Sequence, residues 1–230
     1  MKLKEYEKKK ARQREVAIAL LESGVDFADL DSVYIDENVT VGEGTFIGPC
    51  VTLEGSTAIG RNCKIYQNTR ICDCQIGDEV TVQSSVLLDS TVGNRTAVGP
   101  FAYVRPGSHI GADCKVGDFV EVKNSTIGDG TKTSHLTYLG DADIGKNINF
   151  GCGVVIVNYD GSKKHRSTIG DGAFVGCNAN LISPVNVGAG AYVAAGSTVT
   201  EDVPADALCV ARERQRNIDG WAQQRGLYRK

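Results

Sequence analysis

Aliphatic residues recur at every sixth position over most of this chain. The first series is Ile35, Val41, Ile47, Leu53, Ile59, Ile65 and Ile71. After a slip of one residue it passes through Ile76 and resumes at Val92, Val98, Val104, Ile110, Val116 and Val122. A second slip leads to Ile127, Ile144, Phe150 and Ile156, and the last run is Ile169, Val175, Leu181, Val187, Val193 and Val199. A period of six fits neither an α-helix nor one uninterrupted strand. It fits one short strand plus one turn, repeated, with glycine after many of the aliphatics where a corner leaves no room for a side chain. Three such units close a triangular coil. The steps from Val41 to Ile59, Val92 to Ile110 and Ile169 to Val187 are each eighteen residues. Those from Ile59 to Ile76, Ile110 to Ile127 and Ile127 to Ile144 are seventeen, one residue lost from a turn. The spacing therefore predicts an all-β fold, a parallel β-helix of about nine coils over residues 35–203 with the hexad aliphatics stacked inward.

One interval breaks the count. Ile144 and Ile169 are twenty-five residues apart, seven more than one coil. The excess falls in the polar stretch Asn158-Tyr159-Asp160-Gly161-Ser162-Lys163-Lys164-His165-Arg166, which a solenoid would expel as a loop of the kind that often binds ligands. The ends differ from the middle. Residues 4–24 read as a charged helix with Val16, Ala19, Leu20 and Leu21 as its apolar side and Gly24 as its stop. The organisation expected is a linker-like helix and connection over 1–30, the β-helix over 31–204, and a capping tail over 205–230.

Composition sharpens this picture at three points. Glycine supplies 27 of 230 residues, roughly 12% against a typical ~7%, as a turn-rich repeat requires. Twenty-five Lys and Arg against 28 Asp and Glu give a net charge of −3, which argues against a nucleic-acid partner. Eight cysteines follow an N-terminus (MKLKEYEKKKARQR) that has no apolar signal core, and no apolar run is long enough for a membrane span. The expectation is a soluble cytoplasmic protein with free thiols packed as small hydrophobes.

The chain carries no nucleophile elbow, P-loop, HExxH or dinucleotide fingerprint. Its three histidines, His109, His135 and His165, are 26 and 30 residues apart, and none has the nearby partner expected of a metal site. His135 stands where the aliphatic-glycine pairing lapses, in Ser134-His135-Leu136-Thr137-Tyr138-Leu139-Gly140-Asp141. A neutral imidazole at a coil corner can take a proton near pH 7. Arg105 and Lys123 lie in the coils just before it. A strip of Arg105, Lys123, His135 and Tyr138, with Asn149 and Lys164 beyond, has the composition of a phosphate clamp beside a base.

The motifs VGPFAYVRPG (98–107), VGDFVEVKN (116–124) and SHLTYLGDADIG (134–145), with the Asn158-Tyr159-Asp160-Gly161 loop, are long and specific. In them the chain resembles the acetyltransferase half of the bifunctional N-acetylglucosamine-1-phosphate uridylyltransferase/glucosamine-1-phosphate acetyltransferases, over nearly its whole length. The uridylyltransferase half has no counterpart in these 230 residues. The resemblance implies a left-handed β-helix, a homotrimer with active sites between subunits, and acetyl-CoA as cosubstrate with no metal needed. It implies that Arg105, Lys123, Tyr138, Asn149 and Lys164 hold glucosamine 1-phosphate. His135 would be the general base, with Glu121 as a weaker candidate to orient that base or the amine. Asn158, Tyr159, Cys177, Ala195 and Arg212 would line the acetyl-CoA site, and the backbone N–H of Cys152 would face the oxyanion. Two positions depart from the family's usual residues: Cys152 replaces Ala and Cys177 replaces Ser. Two other readings compete: an acyltransferase of another amino sugar, and a non-catalytic β-helix that serves as an oligomerisation or regulatory module.

Overall fold

The computed structural model describes residues 2–227 and is a parallel β-helix built from thirty short strands. The strands form three parallel sheets of eleven, ten and nine members, so about ten turns stack along one axis. Each hexad aliphatic lies on a strand and turns inward. On the second sheet the ladder Ile35, Leu53, Ile71, Leu87, Val104, Val122, Leu139, Ile156, Leu181 and Val199 is almost wholly buried. The registers follow the eighteen- and seventeen-residue returns: Val92 pairs with Ile110, Ile110 with Ile127, and Ile127 with Ile144.

The solenoid extends past the hexad count at both ends. Its first strand, Asp26–Phe27, pairs with Phe46–Ile47, and its last, Leu208–Cys209, pairs with Tyr192–Val193. Phe27 precedes Ile35 by eight residues rather than six, and Cys209 is not part of an aliphatic-glycine pair, so neither carries the repeat's signature.

The helix Leu3–Glu22 packs over the N-terminal end of the coil. Its buried side is not quite the expected one. Gln13, Val16, Ala17 and Leu20 turn inward, whereas Ala19 and Leu21 are exposed. Positions i, i+3, i+4 and i+7 share a helix face, and Ala19 and Leu21 fall off it. Arg12–Glu37 and Arg14–Asp31 ion pairs and Lys9 over the Tyr34 ring hold the helix to the first coil. No described helix is long and apolar enough to cross a membrane.

All eight cysteines are free thiols. Cys63, Cys74 and Cys114 are buried, where burial pushes each thiol's pKa up and leaves it inert. In the first sheet the inward ladder is interrupted by Thr133, two residues before His135. Its hydroxyl is buried without a hydrogen-bond partner among the described residues. Thr133 lies beside Phe150, the only aromatic side chain buried among the described residues, and the small residue leaves the ring its room.

Candidate active site

Coil arithmetic alone brings two titratable groups together. The seventeen-residue return pairs Asp118 with His135 across the strands Lys115–Asp118 and Lys132–His135. The imidazole Nδ1–H donates to Asp118 Oδ1 at 2.6 Å. That hydrogen bond outweighs burial and holds the Asp118 carboxyl below the usual carboxylate range. It fixes the proton on Nδ1, so Nε2 is left with a lone pair and can accept a proton. The His135 side chain is 55% exposed, open to a substrate. Glu121 does not orient His135 in this structure. It accepts from Arg105 Nη1 at 2.8 Å, because its strand lies on the second sheet beside Tyr103 and Tyr138 rather than at the His135 corner. Asp118 was within the quoted motif at 116–124, and counting back seventeen residues from His135 would have singled it out.

The cations gather on the outer face of the second sheet. Tyr103, Glu121 and Tyr138 are successive rungs there, with Arg105 and Lys123 two residues along the same strands. Lys123 Nζ donates to Asp141 Oδ2 at 2.8 Å and its side chain is only 15% exposed. Burial works against the Lys123 charge, but the Asp141 carboxylate more than offsets it, so its pKa is raised. Lys164 comes in from the insertion. The Lys123 ammonium beside it, with Arg105 farther off, pushes its pKa down. Cations crowded together in this way favour an anion between them. Asn149 does not join them: it is exposed on the first sheet, between Lys132 and Phe174.

The insertion is an ordered loop. Tyr159 and Lys164 form an antiparallel bridge across it. Asp160 accepts from the N–H groups of Ser162 and Lys163 and from His165. Led by the Lys163 N–H, these bonds pull its pKa down to about 2. Arg166 closes the loop with a bidentate pair to Asp143 and a bond to the Asn124 carbonyl. Tyr159 is exposed, with its hydroxyl on the Gly161 carbonyl. Asn158 is buried, and its side-chain amide is taken by Asp141 and lies 3.4 Å from the Tyr138 hydroxyl.

A column runs from the base along the coil axis. The register that pairs Thr133 with Phe150 and Phe150 with Val175 sets His135, Cys152 and Cys177 on one corner. Ala195 follows, its backbone against Gly176, and Arg212 lies over Gly196. Strands are spaced ~4.8 Å apart, so three coils from His135 to Ala195 cover ~14 Å, room for an extended arm carrying a thioester. The Cys152 N–H makes no hydrogen bond among the described residues, which leaves it free for an oxyanion.

Beside this column stand three bulky apolar residues in left-handed backbone, Phe101, Phe119 and Leu136, with φ of 58°, 55° and 48°. They are more than half exposed, and the two phenyl rings stack at 5.5 Å. The equivalent corner is occupied elsewhere by Cys50, Asn68, Gly153, Asn178 and Gly196, of which Asn and Gly tolerate such angles better. Grooves of about 310 and 280 Å³ lie against the N-terminal helix and at the C-terminal end of the coil, and neither includes His135.

The bacterial transferase hexapeptide repeat (six repeats) matches residues 89–124 and 166–201. The bifunctional protein GlmU of Clostridium beijerinckii is 53% identical over 207 residues, covering 90% of this chain and 46% of that protein. GlmU of Acetivibrio thermocellus is 56% identical over 209 residues, covering 91% and 45%. The chain thus spans about half the length of these curated relatives. An Arabidopsis UDP-N-acetylglucosamine acyltransferase structure superposes with a TM-score of 0.57 at 18% identity, over 85% of this chain and 75% of that one, a likeness of fold.

Proposed function

We propose that this chain, which carries bacterial transferase hexapeptide repeats and is similar to the GlmU proteins, acetylates glucosamine 1-phosphate from acetyl-CoA. The products are N-acetylglucosamine 1-phosphate, a precursor for UDP-N-acetylglucosamine and the cell envelope, and free coenzyme A. The reading is carried by two features together: the cluster of Arg105, Lys123, Lys164 and Tyr138, and the Asp118–His135 pair. A phosphate monoester has the charge and geometry for the former, and a sugar amine needs the latter.

In this scheme Arg105, Lys123 and Lys164 take the phosphate oxygens, with the Tyr138 hydroxyl and Asn149 on the sugar. The amine nitrogen attacks the thioester carbonyl while His135 Nε2 removes its proton, and Asp118 supports the imidazolium that forms. The carbonyl oxygen becomes an oxyanion opposite the Cys152 N–H. Collapse forms the amide, breaks the carbon–sulfur bond, and returns the proton from His135 to the departing thiolate. Tyr159, Cys177, Ala195 and Arg212 line the donor's path, while Asn158 contributes through its place at the loop's base. Cysteine at 177 is a poorer hydrogen-bond donor than a hydroxyl and weakens that path.

We further infer a homotrimer with the site between subunits. Asn149 lies on the first sheet, away from the cations of the second, and in a trimer a neighbouring copy supplies it to the cation face. Phe101, Phe119 and Leu136 offer apolar surface where such a neighbour would pack. A cytoplasmic setting follows from the donor and from eight free thiols. The decisive experiment is coenzyme A release on adding glucosamine 1-phosphate, with glucosamine as the phosphate-free control. Release that is equal with both acceptors, or absent, refutes the reading.

A further inference from the structure

The cation cluster and the insertion loop share one buried carboxylate that none of the steps above uses. Asp141 is 6% exposed and has left-handed backbone, with φ of 52°. Oδ2 accepts from Lys123 Nζ at 2.8 Å and from the Asn158 amide, and Oδ1 accepts from the Asn124 amide at 2.6 Å. Its main chain is engaged as well. The Asp141 N–H donates to the Lys123 carbonyl, and the Ser167 N–H donates to the Asp141 carbonyl. Three side-chain donors and no competing acceptor are what an ionised carboxylate satisfies and an amide does not. A buried charge of this kind persists only when it is paired and hydrogen-bonded.

We propose that Asp141 is a positioning residue that joins the phosphate seat to the base of the acyl-donor loop, by holding Lys123 and Asn158 on the same carboxylate oxygen. Lys123 has three N–H donors. One is spent on Asp141, which aims the other two outward at the sugar phosphate. Asn158 opens the insertion that carries Tyr159 and Lys164, so the same oxygen sets where that loop leaves the coil. The two ligand sites are therefore mechanically linked through one atom.

The electrostatic surroundings agree with this geometry. The groups facing Asp141 or the lysines it serves are Lys123, Lys164, Tyr138, Arg105 with its partner Glu121, and Arg166, held by Asp143. Burial alone would raise the Asp141 pKa, but the bonds from Lys123, Asn124 and Asn158 bring it below the usual range. Asp141 in turn supports the charge on both Lys123 and Lys164. Without it, two neighbouring ammonium groups have no carboxylate of their own.

The inference rests on the acetyltransferase reading for its kinetic test, so wild-type activity is measured first. Asp141→Asn is the variant, because Asn accepts left-handed backbone while setting an amide against three donors. The expected result is a Tm close to wild type with KM for glucosamine 1-phosphate raised at least tenfold at pH 8. KM for acetyl-CoA should rise several-fold, and kcat should fall less than threefold. The alkaline limb of kcat/KM for the sugar phosphate should move toward lower pH, because the lysines lose the carboxylate that keeps them protonated. A purely structural role would lower Tm and the active fraction without moving either KM or that limb. A folded Asp141→Asn protein with both KM values within twofold of wild type and an unmoved limb overturns the proposal.

If wild type proves inactive, the functional reading fails by itself and the joint is read by NMR. The Asn124 and Asn158 side-chain amide signals and the Lys123 ammonium titration should shift in Asp141→Asn, and unchanged signals overturn the proposal. If the variant does not fold, Lys123→Gln and Asn158→Ala are combined. Their effects on KM should be strongly non-additive, and additivity within twofold overturns the shared joint.

Discussion

Removing the Asp118 carboxylate while keeping its shape separates the two halves of the proposed base. In wild type the 2.6 Å bond from His135 Nδ1 fixes the tautomer that leaves Nε2 free, and the negative charge steadies the imidazolium as the amine's proton arrives. His135→Ala removes the base itself, and general bases contribute ~10²–10⁴-fold, so kcat should fall by about that factor. Asp118→Asn should cost less. The pair is partly exposed, His135 by 55% and Asp118 by 35%, so water screens the lost charge, and the new amide can still turn its oxygen toward Nδ1. A fall of about tenfold in kcat is expected, one order below the general-base range. KM for the sugar phosphate should change less than twofold in both variants, because neither side chain contacts the cation cluster. Raising the pH should restore part of the His135→Ala loss, since free amine then forms without help. Glu121→Gln is the contrast: it loosens Arg105 and should act on KM for the sugar phosphate rather than on kcat. Coenzyme A should be quantified by chromatography, because the exposed Cys50 and Cys177 thiols would contribute to a thiol-reagent assay. Unchanged kcat in Asp118→Asn would remove Asp118 from the mechanism, and unchanged kcat in His135→Ala would move the base to another group.

Three further outcomes follow from the structure. Leu139→Ala empties a fully buried rung between Val122 and Ile156 and should cost ~2–5 kcal/mol in denaturant unfolding; a loss below 1 kcal/mol would contradict the inward ladder. Phe119→Asp should shift sedimentation toward monomer and lower activity although His135 is untouched, whereas an intact trimer would show that the Phe101–Phe119 stack lies outside the interface. Asp160 has its pKa depressed to about 2, so its hold on the loop is complete above the ordinary carboxylate range. That hold is lost as pH falls toward 2, and amide exchange at Ser162 and Lys163 should accelerate across that window while the coil's amides stay protected.

Much of this was legible in the chain because a solenoid converts sequence distance into spatial distance at a fixed rate. Every hexad aliphatic from Ile35 to Val199 lies on the strand its spacing assigned, and the insertion falls between Val157 and Ser167, where the count failed. Periodicity reports side chains that repeat, and it is silent about those that do not. The first and last strands were missed for that reason. The helix's buried side was misjudged because a run of consecutive apolar residues was read as a face. Resemblance offered Glu121 to orient the base or the amine, while the register places Asp118 at the base and gives Glu121 to Arg105. Asp141 carried no signal at all in the pattern. Its importance comes from three donors that converge from residues 123, 124 and 158, and no linear spacing reveals convergence.

The same geometry explains why the chemistry gathers where it does. A β-helix has flat sheets, whose outward residues repeat at ~4.8 Å, and corners, where the backbone turns outward. The flat second sheet can stack cations in a strip, as it does with Arg105 and Lys123. A corner exposes an imidazole and leaves a backbone N–H unpaired, as at His135 and the half-buried Cys152 on successive coils. The insertion then supplies what neither surface has, a projecting wall, and it is pinned at its base by Asp141 and at its end by Arg166. One side of the cleft is still open. The exposed side chains of Phe101, Phe119 and Leu136 border that opening in left-handed backbone, each at a cost on the order of 1 kcal/mol, and beyond the stack of the two rings on each other they face solvent. A second copy packed there would bury them and bring its own Asn149 face toward the cations. The trimer proposed above would thus cover these side chains and complete the proposed site at one and the same contact.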